Sequence, residues 1–141
     1  PLRRIRDDAG RTGLQKLQAV FAASFAGDRQ QRMGDTLPHL TDDPQFLAME
    51  LRSIEERLAP VYIAPIIRQG MADGSIHTED ADALASALFF LADLWLPPQS
   101  RPTTRAQQRG RNRVFQQMTR ALGLDLLTDE QARQLEAVCR E

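Results

Sequence analysis

The sequence predicts an all-α fold. Apolar residues recur at three- and four-residue spacings along most of the chain, and β-branched residues are scarce. No stretch alternates apolar and polar residues with a period of two, which a half-buried strand requires. We therefore expect five to seven helices packed in an antiparallel bundle, without a sheet.

Length and composition predict one domain without membrane association. The chain has 141 residues, and we treat 1–141 as a single domain. Its 18 basic and 19 acidic residues give a formal net charge of −1, which argues against whole-chain attraction to nucleic acid. The longest apolar run, 83–96, is shorter than the roughly 18 to 20 residues that span a bilayer, and no secretory signal is visible. We expect a cytoplasmic protein.

Two helices are predicted before residue 40. The first follows Thr12 as the N-cap and ends at Gly27, with apolar residues at three- and four-residue spacing between them. A shorter helix is expected over about 28–36, because Pro38 disfavours helical backbone in the residue before it.

A third helical stretch begins at Asp43, which precedes a proline suited to the first helical position. Pro60 and Pro65 fall inside its apolar pattern, and each removes a backbone donor. The prolines predict a kink or break near 59–64. Helicity should then resume and end at Gly74.

Three further signals define the second half. A helix should start at Thr78, followed by acidic residues that suit a helix N-terminus, and its part 83–96 is apolar on nearly all sides. Another helix is expected over 104–122, closed by Gly123, with a narrow apolar seam that includes Val114, Phe115 and Met118. The sequence TDEQ at 128–131 predicts a capping box and a last helix.

The apolar stretch 83–96 supplies more nonpolar surface than one neighbouring layer can cover. Ala106 and Gly110, small residues four apart, would let another helix approach closely. We therefore predict that the two long C-terminal helices form a four-helix interface with a second copy of the chain. An alternative is that the apolar helix is the centre of a monomeric bundle. The predicted interface residues are Leu88, Leu91, Trp95, Ala106, Gly110, Val114 and Met118.

The sequence gives little support to an enzyme. His39 and His77 lie beside acidic residues but lack a spacing that puts two metal ligands on one helical face, and Cys139 has no nearby histidine. We predict no catalytic residues, no metal and no cofactor. Six arginines and no acid lie between 101 and 120, which is either an anion-binding patch or, as we favour, the solvated side of a helix.

Aromatic and methionine residues on several helices are candidates for lining an apolar ligand cavity, although such residues also fill ordinary cores. Asp93 is the one acid within the apolar stretch, where a carboxylate needs a partner. The candidate pocket residues are Phe21, Phe25, Met33, Phe46, Met49, Tyr62, Ile66, Phe89 and Asp93.

The segment 57–76 resembles the middle of the regulatory domain of TetR-family repressors. In that family a helix ends in the pattern I-x-x-G-x-x-x-G-x-[FI], and Ile67, Gly70, Gly74 and Ile76 match it here. An acidic helix start and a long apolar helix follow, as they do at 78–96. The resemblance extends over about 12–125.

The resemblance implies an effector-binding and dimerisation domain of a transcriptional regulator. In the family, a small and usually apolar molecule binds between the helices and shifts the attached DNA-binding domains away from operator spacing. The family's helix-turn-helix domain is absent from these residues, so any DNA contact would belong to a longer parent protein. The alternative function is a homodimeric all-α interaction protein without ligand or DNA.

Overall fold

The computed structural model describes residues 1–25, 42–98 and 102–139, and all regular secondary structure in these residues is helical apart from a single bridge residue at Thr104. The predicted all-α class is therefore confirmed. The segments are α1 (Leu2–Arg6), α2 (Gly13–Ser24), α3 (Pro44–Ser53), π1 (Ile54–Ile63), α4 (Ala64–Asp73), α5 (Ala81–Phe90), π2 (Leu91–Trp95), α6 (Arg105–Ala121) and α7 (Asp129–Ala137). Since α3, π1 and α4 are continuous, and α5 continues into π2, the described ranges contain six helices.

Capping threonines set the starts of three helices. Thr12, Thr104 and Thr128 each accept a hydrogen bond from the backbone N–H three residues on. The side-chain oxygen of the glutamine at that position accepts a bond from the backbone N–H of the threonine. Two backbone donors that the helix cannot satisfy are thereby paired at each start. The predicted helix ends at Gly74 and Gly123 are also present, since both glycines adopt the left-handed conformation.

Neither proline breaks the helix, which changes from π- to α-helical geometry between them. Pro60 lies inside π1, where the hydrogen bonds span five residues, as from the N–H of Ala64 to the carbonyl oxygen of Ala59. Pro65 falls in the first turn of α4, which continues directly from π1, so its missing N–H is one bond that the continuous helix cannot form. The disruption predicted at 59–64 is therefore a π-to-α transition in an uninterrupted helix.

Three other predictions differ from the structure or lie outside it. The helix predicted from Thr78 begins at Ala81, because Asp80 is its N-cap and accepts a bond from the N–H of Ala83 at 3.0 Å. The short helix α1 was not predicted. The helix predicted over 28–36 and the helix end predicted at Gly27 lie outside the described residues.

The core lies where α2 packs on α4 and where α5 packs on π1 and α4. Its largest fully buried side chains include Phe25, Phe115, Leu17, Ile54, Ile63 and Ile67. At the crossing of α2 and α4, Gly13 touches the backbone of Gly70 so closely that a Cβ atom would overlap it. The two helices therefore meet backbone to backbone.

Candidate functional site

The inner face of α6 is mostly polar. Gln108, Asn112, Phe115 and Thr119 are the buried residues of this helix, and Gln108 is 0% exposed. This corrects the predicted apolar seam, of which only Phe115 is buried. Val114 and Met118, the other seam residues named above, are 43% and 40% exposed.

Side-chain amides attach this face to the rest of the chain. Gln108 Nε2 donates to the carbonyl oxygen of Leu96 at 2.8 Å and to Asn112 Oδ1 at 2.9 Å. Asn112 Nδ2 in turn donates to the carbonyl oxygen of Ala132 at 2.9 Å. The pair thus links the residue that follows π2, the middle of α6, and α7. Such buried bonds are directional, and removing one partner costs more than the bond itself contributes.

One atom of this network has no partner. Gln108 Oε1 is the only buried side-chain oxygen or nitrogen among the described residues that forms no hydrogen bond. An unsatisfied buried acceptor costs about 1–3 kcal/mol, so an isolated case requires an explanation.

The outer face of α6 carries an open line of small and apolar residues beside exposed glutamines. Ala106, Gly110, Val114 and Met118 are spaced four residues apart, so they form one stripe, and all four are exposed. At about 100° per residue, the stripe is centred about 150° from the buried face. Apart from its chain neighbours and the backbone of its own helix, no described atom lies within 4 Å of where a Cβ of Gly110 would be. The four interface residues predicted on this helix therefore share one surface, which we call the outer stripe.

The interface residues predicted on the apolar helix are placed differently. Leu88 is 3% exposed and belongs to the chain's own core, so it is not available to a second copy. Leu91 and Trp95 are partly buried in π2 and pack against that core. The exposed apolar residues of α5 are instead Ala83 and Ala87. Because this helix is apolar on nearly all sides, its sequence did not indicate which face is buried. The structure shows which residues are buried.

The arginines of α6 are mostly engaged with neighbouring groups. Arg109 pairs with Glu136 at 2.8 Å. Arg120 lies 3.2 Å from Asp125 and 3.5 Å from a carboxylate oxygen of Asp129. The acids that balance the run thus come from the segment that follows it, which supports the interpretation as an exposed helix side over that of an anion site. Two further arginines also have partners: Arg105 donates to the Cys139 carbonyl oxygen, and Arg111 donates to Thr103 Oγ1.

The predicted pocket residues do not all come together. Phe21, Phe25 and Ile66 are buried in the core, and the ring centroids of Phe21 and Phe25 are 5.9 Å apart. Three partly buried residues are Phe46, Tyr62 and Phe89, and the last two pack against the core. Met49 is 66% exposed and is therefore excluded from any internal site, because it lies on the outer side of α3. Met33 lies outside the described residues.

The remaining candidate residues are an acid, a cysteine and two histidines. Asp93 is partly buried in π2 and has an interaction partner. Cys139 is buried, its Sγ donates to the Leu135 carbonyl oxygen at 3.4 Å, and burial raises the pKa of its thiol above the ordinary value. His77 is exposed, and His39 falls outside the described ranges. Within those ranges, no three His, Cys, Asp or Glu side chains are grouped as a metal site would require.

A cluster that sequence reasoning missed holds α1 in place. The guanidinium of Arg6 lies 5.6 Å from the ring centre of Tyr62, and its Nη1 donates to the Val61 carbonyl oxygen at 3.0 Å. Lys16, which is 4% exposed, donates to the Arg6 carbonyl oxygen and to Gln69 Oε1, both at 2.6 Å. These bonds connect α1 to π1, α2 and α4. The only sequence signal was that Lys16 is the single lysine of the chain.

In the part of the chain that the structure describes, no helix combines the length and the hydropathy that a membrane span requires. No protein-family model, curated protein or solved structure matches the chain.

Proposed function

We propose that the chain is the effector-binding and dimerisation domain of a TetR-like transcriptional regulator, acting in the cytoplasm as a homodimer. The observation that carries the proposal is the outer stripe of α6, an apolar surface on an otherwise polar helix. Residues 57–76 support the family, since they carry the pattern of its regulatory domain. DNA binding is assigned to an N-terminal domain of the parent protein.

A second copy of the chain fits the outer stripe by charge. Helix α6 contains five arginines, of which Arg109 and Arg120 pair with acids that follow the helix, and no acid of its own, so an acidic surface suits it better as a partner than a second α6 helix. Residues 78–95 contain four acids, Glu79, Asp80, Asp82 and Asp93, and no basic residue. A two-fold dimer in which α6 of each copy packs on α5 of the other brings opposite charges together twice.

Effector binding would act through the helix that contains π1. Few contacts hold the N-terminal end: Arg6 donates to the Val61 carbonyl oxygen and lies over the Tyr62 ring, and Lys16 donates to the Arg6 carbonyl oxygen. A ligand that favours one arrangement of π1 would therefore shift α1 and whatever precedes it. We propose that π1 changes its arrangement at Pro60.

The dimer is tested by Val114→Glu combined with Met118→Glu. Both residues are exposed in the single chain, so the charges should leave the fold intact and remove the apolar contact. We expect sedimentation equilibrium to show a dimer for the unmodified chain and at least tenfold weaker association for the variant. Gln134→Glu, which adds a charge at an exposed position of α7, is the control and should remain dimeric. A monomeric unmodified chain, or an equally tight double variant, would refute the proposed interface.

The second candidate is a homodimeric all-α interaction protein that binds neither ligand nor DNA. It is favoured by the near-complete burial of Phe21, Phe25 and Ile66 in the core. A thermal-shift screen with apolar small molecules separates the two candidates, because a ligand that binds only the folded state raises the melting temperature. Stabilisation by none of the compounds would favour the interaction protein.

A further inference from the structure

Helix α1 depends on its contacts for its helical shape. It has five residues and buries none of them, and Leu2 and Ile5 are only partly buried against the core. A single helical turn is unfavourable on its own, because its few hydrogen bonds do not offset the entropy of fixing the backbone. The segment Leu2–Arg6 is therefore helical as long as it is docked on the rest of the chain.

Arg6 makes the polar contacts that dock α1. Its carbonyl oxygen accepts a hydrogen bond from Lys16 Nζ at 2.6 Å, at the end of α1 where carbonyl groups lack partners within the helix. Its side chain donates to the Val61 carbonyl oxygen at 3.0 Å and lies over the Tyr62 ring. One residue thus joins α1 both to α2, through Lys16, and to π1.

Lys16 has a second partner that does not belong to α1. Its ammonium also donates to Gln69 Oε1 at 2.6 Å, and Gln69 Nε2 donates to the Arg11 carbonyl oxygen at 2.9 Å. The start of α2 is fixed separately, since the Gly13 N–H donates to Asp73 Oδ2 at 2.8 Å. Release of α1 would therefore leave Lys16 held and α2 in place, and only the residues before Arg11 would move.

The docked state buries a charge without an opposite charge. Lys16 is 4% exposed, and both of its acceptors are neutral. Within the described residues it forms no ion pair, and Asp7, the acid beside Arg6, pairs with Arg6 instead. A buried ammonium loses its hydration, and water would reach it again once α1 leaves. Desolvation thus opposes the hydrogen bond to Arg6 and lowers the net stability of the docked state.

We propose that α1 is a conformational latch: it passes between the docked helix and a released, non-helical state while α2, π1 and α4 stay folded, and Lys16 is the residue that holds it. The released state exposes the Lys16 ammonium and the Tyr62 ring. Because Arg6 also bonds to π1, a molecule that binds one arrangement of π1 shifts the latch, and release of the latch changes the affinity for that molecule by the same factor. The inference goes beyond the proposed function and requires neither the dimer nor an effector.

The single lysine of the chain allows release to be measured directly. An amine-reactive reagent, N-hydroxysuccinimidyl acetate, modifies Lys16 when α1 has left it, and mass spectrometry gives the rate relative to a free lysine peptide. We expect this rate to stay nearly constant with urea up to the start of global unfolding, because release exposes little surface. A rate that rises from zero urea with the slope of global unfolding would overturn the inference, since Lys16 would then be accessible only in the unfolded chain.

Arg6→Met separates release of α1 from the small exposure that Lys16 has in the docked state. It removes the bond to the Val61 carbonyl oxygen and the contact with the Tyr62 ring, so we expect Lys16 to be labelled about fivefold faster. Arg4→Met is the matched control, because it removes an exposed arginine from the same helix, and its labelling rate should stay that of the unmodified chain. Equal rates in the two variants would contradict the latch.

Lys16→Met tests the residue that holds α1. The Arg6 carbonyl oxygen loses its donor, so the amide hydrogens of Ile5 and Asp7, which bond within α1, should exchange about threefold faster or more, while those of α5 should not change. Lys16→Arg, which keeps a cationic donor, should restore part of the protection. If Lys16→Met does not fold, Arg6→Met and the urea series on the unmodified chain decide. Unchanged exchange of Ile5 and Asp7 in a folded Lys16→Met variant would show that Lys16 does not hold α1.

Discussion

Helices α2 and α6 use their apolar residues in opposite ways. Helix α2 turns Leu17, Val20 and Phe21 inward, and its N-terminal end meets α4 at Gly13. Helix α6 turns Val114 and Met118 outward and buries amide groups against backbone carbonyls. The first helix is attached by burial of apolar surface, and the second largely by directional hydrogen bonds.

The difference indicates where each helix directs its hydrophobic surface. Burial of apolar area stabilises α2 within its own chain. The exposed apolar residues of α6 give no such stabilisation to the single chain. The buried face of α6 stabilises the chain largely through its hydrogen bonds. This contrast, more than the amount of exposed apolar surface, is why we assign the outer stripe to a second copy.

Gly13→Ala should have the largest effect on this comparison. The new Cβ would overlap the backbone of Gly70 and lie 2.7 Å from the Ile66 carbonyl oxygen, so α2 and α4 must separate. We expect a loss of about 3 kcal/mol or more in the free energy of unfolding, measured by urea denaturation. Gly10→Ala, where the nearest atom would be 3.4 Å away, should change stability by less than about 0.5 kcal/mol. Equal effects of the two substitutions would show that the close crossing is not required.

Asn112→Leu should have the next largest effect, because it tests the amide attachment of α6. The substitution leaves the Ala132 carbonyl oxygen and one Gln108 hydrogen without their present partners. We expect a loss of about 2–3 kcal/mol, with faster amide hydrogen exchange in α6 and α7 than in α2. Gln134→Leu, at an exposed position of α7, serves as the control. A stability gain on replacing Asn112 would mean that apolar packing can substitute for the amide network.

The smallest effect on stability should come from lowering the pH. Hydrogen bonds from Ser75 and from the Gly13 N–H, which lies 2.8 Å from Asp73 Oδ2, hold the pKa of this carboxyl below its ordinary value of 3.8. A carboxyl whose pKa is lower in the folded chain stabilises the fold above its unfolded pKa. That stabilisation is lost as the pH falls through the folded value. The start of α2 should therefore weaken below about pH 4.

This acid effect is measured as the urea midpoint between pH 6 and pH 3 for the unmodified chain and for Asp73→Asn. Asp73 is exposed, so solvent screening keeps the difference small. The variant should show a shallower fall of stability with pH than the unmodified chain. Identical slopes would show that Asp73 contributes nothing to the acid response.

Sequence patterns predicted the helices better than they predicted what each helix buries. The caps at Thr12 and Thr128 are local, because the cap and its partner lie three residues apart. The inner face of α6 depends on carbonyl groups of Leu96 and Ala132, which helical periodicity does not reveal. The burial of Gln108 and Asn112 was therefore not predicted, and Val114 and Met118 were placed in one seam with Phe115, which alone of the three is buried.

Only part of the candidate site was predicted, because local spacing can be read from the sequence and contacts between distant segments cannot. The four residues on α6 share one exposed surface, since spacing of four residues determines a common face in any α-helix. Leu88 was assigned wrongly because α5 is apolar on nearly all sides and its pattern does not distinguish inside from outside. Helix α1 was missed because its five residues carry three arginines and no periodic pattern. Its position depends on Lys16, a contact across ten residues.

The amide bonds of Gln108 and Asn112 also restrict how α6 can turn about its own axis. Apolar side chains tolerate some sliding, whereas a hydrogen bond weakens steeply once its donor and acceptor are misaligned. A rotation of α6 by one residue position would break the three bonds together. The orientation of the surface on the far side of the helix is thus fixed before any encounter with another molecule, and docking there requires little further ordering.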